Sequence, residues 1–417
     1  MTNLNLFSKK NLITLFLTIT FSLVIIFLIY NRFIYPAITP MIKDGLLYLF
    51  ADWSVIVNAN LCAQQGLDVF IENPCDPWNR KHVYGEILLY LPFVNFLKKF
   101  YLIYFPLITN FLFIYITISF FYYKQSLKNY TLVFFILSAP FLIAVERTNI
   151  DILLFLIIYL ISKNKNILVN HFFILLGVLS KFFPLCFGVI FFFKKYLRKI
   201  LFNLIILCLI TSVFLFFQIE NILKIFSAQS QFSGGNVYAF SFKSLINTIN
   251  YFQIVNDSFF WIKPFFIVGF LLIPLFLIMF FFIKLKKNKE FFLEIFNNDI
   301  FENRIYVISS ITLLSCYFII ENIFYREIFF LGLIPWLLKN EDQQRNIKDF
   351  YYYFLLFKFI MTTILIYLVL AQNTLFFKFK PLLILFKHTI DFYLITIIFF
   401  TFSICFFNFI KKGLALR

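Results

Sequence analysis

The sequence predicts an all-α polytopic membrane protein, and three observations carry that reading. Of the 417 residues, 62% are apolar and only 14% are charged, at a mean hydropathy of +0.89. A soluble globular chain is nearer a quarter charged and needs that charge to stay in water. Apolar runs such as LITLFLTITFSLVIIFLIY and FLLIPLFLIMFF recur from end to end, and lipid is the solvent that suits them. The formal charge of +17, from 37 basic against 20 acidic residues, falls mostly in the short connections between those runs. That is the positive-inside pattern, and it also fits a surface lying against anionic lipid. It points to membrane lipids and not to nucleic acid as the partner. The 68 Phe accompany abundant Ile, Lys and Asn, all residues of AT-rich codons, and imply no cofactor.

A span needs roughly 20 apolar residues, fewer where a broken helix is packed inside protein. On that basis the chain, read as one domain over 1–417, divides into roughly ten to twelve transmembrane segments with both termini cytoplasmic. The first covers residues 12–30. Lys9 and Lys10 precede it and no small-x-small cleavage site follows, so it reads as an uncleaved span. Residues 32–100 form a large outer loop that holds Asp44, Asp52, Asp68, Glu72, Asp76 and Glu86. Further segments are expected near 101–123, 131–145 and 152–161. A broken pair of half-length helices follows, with Lys181 and Pro184 at the join. The remaining segments lie near 201–217, 261–283, 305–320, 328–338, 352–370 and 388–410. Lys378, Lys380 and Lys387 fit this topology poorly, because it leaves them near the outer interface.

Four polar clusters share the outer side in this arrangement: the first loop, ERTNID at Glu146–Asp151, Lys181, and ENIFYRE at Glu321–Glu327. An ionised Lys within a bundle costs about 2.5–3.5 kcal/mol at the helix centre, so Lys181 in GVLSKFFP needs a compensating carboxylate or phosphate, unless it snorkels to the headgroups. Asp52 precedes a helical stretch and is either its N-cap or a functional carboxylate. Tyr48 and Asn58 or Asn60 are placed to share its space. Arg147, between Glu146 and Asp151, and Arg326, between Glu321 and Glu327, are either structural ion pairs or contacts to a lipid-linked phosphate. Cys62 and Cys75 are the two cysteines of the outer loop, and an oxidising compartment permits a disulfide between them. Cys186, Cys208, Cys316 and Cys405 fall in spans as small apolar residues. His82, His171 and His388 show no metal-ligand spacing. There is no phosphate-binding Gly-rich loop or dinucleotide fingerprint, and SGGN at Ser233–Asn236 is a turn.

In order and spacing, DWSVIVNANLCAQQGLDVF from Asp52, NPCDPWNRKHVYG from Asn73, ERTNIDILLFLI from Glu146, LGVLSKFFPL from Leu176, NVYAFSFKSL from Asn236 and YREIFFLGLIPWLL from Tyr325 resemble glycosyltransferase family 87. That family belongs to the polytopic C-class glycosyltransferases, and the resemblance covers nearly the whole chain. It implies an outward-facing enzyme of the cytoplasmic membrane of a bacterium. Such an enzyme passes a hexose or pentose from a polyprenyl-phosphate sugar donor to a lipid or glycan acceptor hydroxyl. Asp52 matches the family's acid in the first outer loop and would act as base. Lys181 on the K-x-x-P pattern and Arg326 on the late YR pattern would approach the donor phosphate, with Arg147 beside them. Glu146, Asp151, His82 and Tyr48 are supporting candidates. The chain carries Thr148 where many relatives have Gly, and HVYG where relatives often have NYP. No cofactor and no metal is implied. A membrane transporter or lipid flippase is the alternative, and Asp391 is the residue it would use; a non-catalytic membrane scaffold is a further one.

Overall fold

A computed structural model describes residues 9–30, 42–43, 46–47, 49–121, 127–193, 196–228, 239–255, 295–296, 298–319, 323–339, 345–370 and 374–415. Apart from a two-residue antiparallel ladder, Ile42–Lys43 with Leu46–Leu47, its regular structure is helical. The chain forms two compact units: Met1–Leu185 with Leu209–Ser230, and Cys186–Cys208 with Gln231–Arg417.

The first unit contains α1 (Lys9–Tyr30), α2 (Ala51–Gln64), α3 (Phe105–Phe121), α4 (Leu132–Ile136), α5 (Ala139–Arg147), α6 (Ile150–Lys163) and α7 (Ile167–Ser180). A single π-turn, Phe100–Tyr104, opens α3. α1 packs on α3, α3 on α6 and α6 on α7. The outer surface of α1 is apolar, with Phe16, Leu23 and Phe27 exposed. A helix that shows its large apolar side chains outward is built for lipid and not for water.

Five described helices are long and apolar enough to cross a membrane: Asn11–Leu28, Phe100–Phe121, Arg198–Phe217, Ile347–Leu368 and Leu382–Ile404. The bent pair Lys128–Ile136 and Ala139–Arg147 makes a sixth if taken as one span. The protein is thus a multi-pass helical membrane protein. The sequence pattern suggested about twice as many segments, and the physical reason is visible in several of them. The run at 131–145 is not one straight helix: it bends by 52° between α4 and α5. There Ser138 is extended and Pro140, which has no N–H to donate, sits in the first turn of α5. The expected broken pair is present as α7 and a 3-10 helix, Phe183–Phe193, both shorter than a full span. The run at 328–338 is a 3-10 helix, Phe324–Leu333, continued by five α-helical residues. The segment expected at 261–283 lies outside the described residues.

The described part of the first loop, residues 49–100, is folded, as its acids and prolines suggested. α2 runs beneath it, and Trp53, Ile56, Val57, Tyr84, Val94 and Tyr101 form one core with Phe50 and Ile150. Ala59, Cys62, Val69 and Phe70 form a second with Ile225 of α9 (Ile219–Ala228), which joins this unit after α8 (Leu197–Phe217). Lys224 of α9 pairs with Asp68 at 2.9 Å, and Asn221 donates to Glu86 at 3.0 Å. Cys62 and Cys75 are joined in a disulfide, with Cα atoms 5.8 Å apart. A crosslink closing so short a ring contributes about 3 kcal/mol. Cys62→Ser with Cys75→Ser, or reductant added to wild type, is therefore expected to lower the unfolding temperature in detergent by several degrees, read by thermal melting. An unchanged melt would show that the loop is held by its core alone.

The second unit contains α10 (Phe242–Val255), α11 (Phe301–Phe318), α12 (Ile334–Leu338), α13 (Arg345–Leu370) and α14 (Thr374–Ala415). α14 packs against α10, α11 and α13. It begins well before the segment expected at 388–410, so Lys387 is not an interfacial charge: it is 1% exposed inside a helix. Of the cysteines expected to be buried, Cys316 is, Cys186 is half-buried and Cys208 is exposed on α8.

Candidate functional site

Asp52 is not the N-cap of α2. That position belongs to Phe50, in the left-handed region at φ 59°, and Asp52 stands in the first helical turn with its carboxylate turned to other partners. Arg147 donates to its Oδ1 from Nε at 2.9 Å and from Nη2 at 2.6 Å. Asn149 donates to its Oδ2 at 2.7 Å. Arg80 Nη1 lies 3.9 Å from Oδ1, and the same guanidinium is held by both oxygens of Asp76 at 2.8 and 3.0 Å. Burial pushes the Asp52 carboxyl up. The Arg147 charge and hydrogen bonds, then Asn149 and Arg80, outweigh that and hold it below the ordinary carboxylate value.

The ERTNID segment makes this possible by changing direction within two residues. α5 ends at Arg147, Thr148 takes the left-handed conformation at φ 42° and ψ 58°, and Asn149 caps α6 by accepting from the Asp151 N–H at 3.0 Å. Left-handed backbone is where glycine is at ease, and here Thr148 adopts it. The reversal separates two neighbours in sequence. Arg147 ends at Asp52, and Asp151, fully buried on α6, receives Lys181 Nζ at 2.7 Å. Of the two ways to compensate Lys181, the structure supplies the carboxylate.

The loop 81–85 lies alongside. Gly85 N–H donates to Ser180 O at 2.9 Å, and a Cβ on Gly85 would stand 1.7 Å from Leu179 O. Only glycine permits that approach to the end of α7, immediately before Lys181. Gly85→Ala must push the loop away. It is expected to cost about 1–3 kcal/mol and to loosen the site, read as a lower melting temperature together with weaker ligand binding; an Ala variant with wild-type melting would contradict this packing. His82 is buried between Phe70 and Tyr84, with ring centroids at 5.4 and 5.7 Å. Burial pushes its imidazole down to about 4, so it is neutral at pH 7, with Nε2 facing Gly85 O at 3.5 Å. The Tyr84 ring lies 5.7 Å from Lys181 Nζ. Burial, then the charges of Asp52 and Asp151, raise its hydroxyl well above the ordinary tyrosine value.

One unit thus brings together Asp52, Arg147, Asp151, Lys181, Glu146 and His82. Arg80, Asn149 and Tyr84 complete the site and were not singled out in the sequence. Their signals were there: Asp76 and Arg80 at i and i+4 in DPWNR, and Asn149 immediately before an apolar helix. Asn60 proves structural, with its amide bonded to Leu88 O and Leu91 N. Tyr48 and Glu321 lie outside the described residues.

Arg326 belongs to the second unit, where its Nη1 faces Cys316 Sγ at 4.0 Å. The adjacent Glu327 is part of a buried charge quartet. Lys358 of α13 pairs with Glu327 and lies 3.1 Å from Asp391. Lys387 lies 2.8 Å from Asp391 and 3.4 Å from Glu327, and also donates to Ala239 O at 2.6 Å. All four side chains are enclosed, with His388 Nδ1 at 3.9 Å from Asp391. No group of three His, Cys, Asp or Glu side chains arranged to hold a metal occurs among the described residues. In comparisons with known proteins, no family model, no curated protein and no solved structure matches this chain.

Proposed function

We propose that this protein is a membrane glycosyltransferase of the C-class type resembling family 87. It takes a hexose or pentose from a polyprenyl-phosphate sugar and places it on a lipid or glycan hydroxyl, at the outer face of a bacterial cytoplasmic membrane. The observation that carries the reading is the Asp52 carboxylate. It sits on a folded, disulfide-tied loop, is oriented through both oxygens by Arg147 and Asn149, and shares its unit with the Lys181–Asp151 pair.

The acceptor oxygen attacks the anomeric carbon while the bond from that carbon to the phosphate oxygen breaks. The hydroxyl proton passes to Asp52, and the polyprenyl phosphate departs with the bonding pair. One displacement of this kind inverts the anomeric centre and needs no covalent intermediate. Asp52 is a weak base, which suits a hydroxyl that becomes acidic only as its oxygen bonds to carbon. Lys181 and an arginine of the same unit stabilise charge growing on the leaving phosphate, which takes the place of their carboxylate partners. Holding both substrates supplies much of the acceleration, and the prenyl tail remains in lipid.

The test offers a panel of radiolabelled polyprenyl-phosphate sugars to the purified protein in nanodiscs with bacterial lipids. Transfer to a lipid or glycan acceptor supports the reading; its absence with every donor removes it. The buried quartet favours a second reading, since intramembrane ionisable groups mark ion or substrate pathways. Movement of a polyprenyl-phosphate lipid across the bilayer without sugar transfer would select that flippase.

A further inference from the structure

Among the polar groups of the first unit that have no partner among the described residues, two lie near Asp52 and Arg147. The Tyr84 side chain is 7% exposed, and its hydroxyl has no hydrogen-bond partner among the described residues. It differs from the phenol of Tyr317, whose oxygen is fully enclosed and has no partner among the described residues. Glu146 is 5% exposed, and its Oε2 is also unpartnered, although its backbone is fixed by the Phe50 N–H donating to Glu146 O at 3.0 Å. Phe50, which holds the Glu146 backbone, packs in one core with Tyr84, and both groups feel the charges of Asp52 and Arg147, Tyr84 those of Asp151 and Arg80 as well. Leaving a buried donor or acceptor unmade costs about 1–3 kcal/mol. Two such groups at one place are complementary in kind: a phenol that keeps its proton, and a carboxyl oxygen that accepts.

The charges around them say what kind of ligand fits. Arg80 faces Asp76 and Asp52, Arg147 faces Asp52, and Lys181 faces Asp151. Every one of these cations is already opposite a carboxylate, so an anion entering here must open an ion pair. A neutral, hydroxyl-rich ring need not. Its hydroxyls both donate and accept, which matches Tyr84, Glu146 and the outer lone pairs of Asp52.

We propose that Tyr84 and Glu146 form the seat of the sugar ring, with Tyr84 donating to one ring hydroxyl and Glu146 accepting from another. The neutral ring, and not the phosphate, then rests against Tyr84. The proposal rests on the transferase reading for its place in a reaction, and its binding test is independent of that reading.

The probe is a panel of methyl hexopyranosides and pentofuranosides, offered to the full chain in nanodiscs and read by saturation-transfer NMR. Wild type is expected to saturate at least one glycoside. Tyr84→Phe should bind it about 3- to 10-fold more weakly with an unchanged melting temperature, because the hydroxyl it removes bonds nothing in the protein. Glu146→Gln, which keeps the side chain's size, should weaken the same glycoside. No saturation of any glycoside by wild type, or equal binding by Tyr84→Phe, overturns the proposal. An excess of inorganic phosphate should not displace the glycoside; displacement that Tyr84→Phe leaves intact would mean that the seat takes the phosphate, and overturns it too. Glycoside binding lost in Tyr84→Phe, without transfer from any polyprenyl-phosphate sugar, would remove the transferase reading and leave the sugar seat standing.

Discussion

Asp52→Asn is expected to reduce sugar transfer by about 10²- to 10⁴-fold, the usual contribution of a general base, while polyprenyl-phosphate binding persists. Asn keeps the shape of the side chain and still accepts at one position, but it cannot take the proton. The substitution also leaves the Arg147 guanidinium without its carboxylate, so a folding loss must be told apart from a chemical one. Arg147→Gln provides the contrast, because it removes the same ion pair and leaves the base. Its effect should depend on pH in a defined direction. In wild type, Arg147, Asn149 and Arg80 hold Asp52 below the ordinary carboxylate value, with Glu146, Tyr84, Asp76 and the Lys181–Asp151 pair as the other ionisable neighbours. Asp52 is therefore ionised at neutral pH, and the loss of transfer that its protonation causes should fall below the ordinary carboxylate range. Without Arg147, burial raises the carboxyl against Asn149 and Arg80 alone, so the acid limb of the transfer rate moves up in pH. The stability sign agrees: a carboxylate with a depressed folded pKa stabilises above its unfolded pKa, and that contribution is lost as pH falls through the folded one. Equal transfer by wild type and Asp52→Asn would remove Asp52 as the base. An Arg147→Gln profile with the wild-type acid limb would show that Arg147 does not set the Asp52 charge.

The membrane class and the folded first loop were legible because composition and hydrophobic runs are local properties. Asp52, Arg147, Asp151 and Lys181 were legible for a related reason: ionisable residues are expensive beside apolar helices and stand out against them. Their pairing was not legible. Sequence places Arg147 with its neighbours Glu146 and Asp151, yet a left-handed Thr148 followed by the extended Asn149 sends Arg147 to Asp52 and Asp151 to Lys181, over sequence separations of 95 and 30 residues. A two-residue reversal of that kind depends on φ and ψ and leaves no mark on hydropathy. Hydropathy was equally blind at Ser138 and Pro140, where an apolar run conceals a 52° bend. Tyr84 escaped notice because a tyrosine among 23 is unremarkable until its hydroxyl is found without a partner.

Lys358→Met should be among the most destabilising single substitutions, at about 3–5 kcal/mol, the cost of breaking a buried ion pair by removing one member. It leaves Glu327 and Asp391 sharing Lys387 alone, an excess of one negative charge among enclosed side chains. Lys387 was one of three lysines that fitted the sequence topology poorly, and the quartet explains it: an ammonium that looked stranded near an interface is matched by Asp391 one turn along its own helix and by Glu327 from a distant segment. Deleting charge in balanced pairs should hurt less. Lys358→Met combined with Glu327→Gln leaves the Lys387–Asp391 pair at 2.8 Å, net neutral and still hydrogen-bonded, so the double variant is expected to melt above either single one. The strength of that non-additivity measures how far the four charges act as one body. Losses that simply add would mean each residue is held by its surroundings separately, and the quartet would then be a coincidence of packing and not a unit that fixes Glu327, and with it the backbone of Arg326.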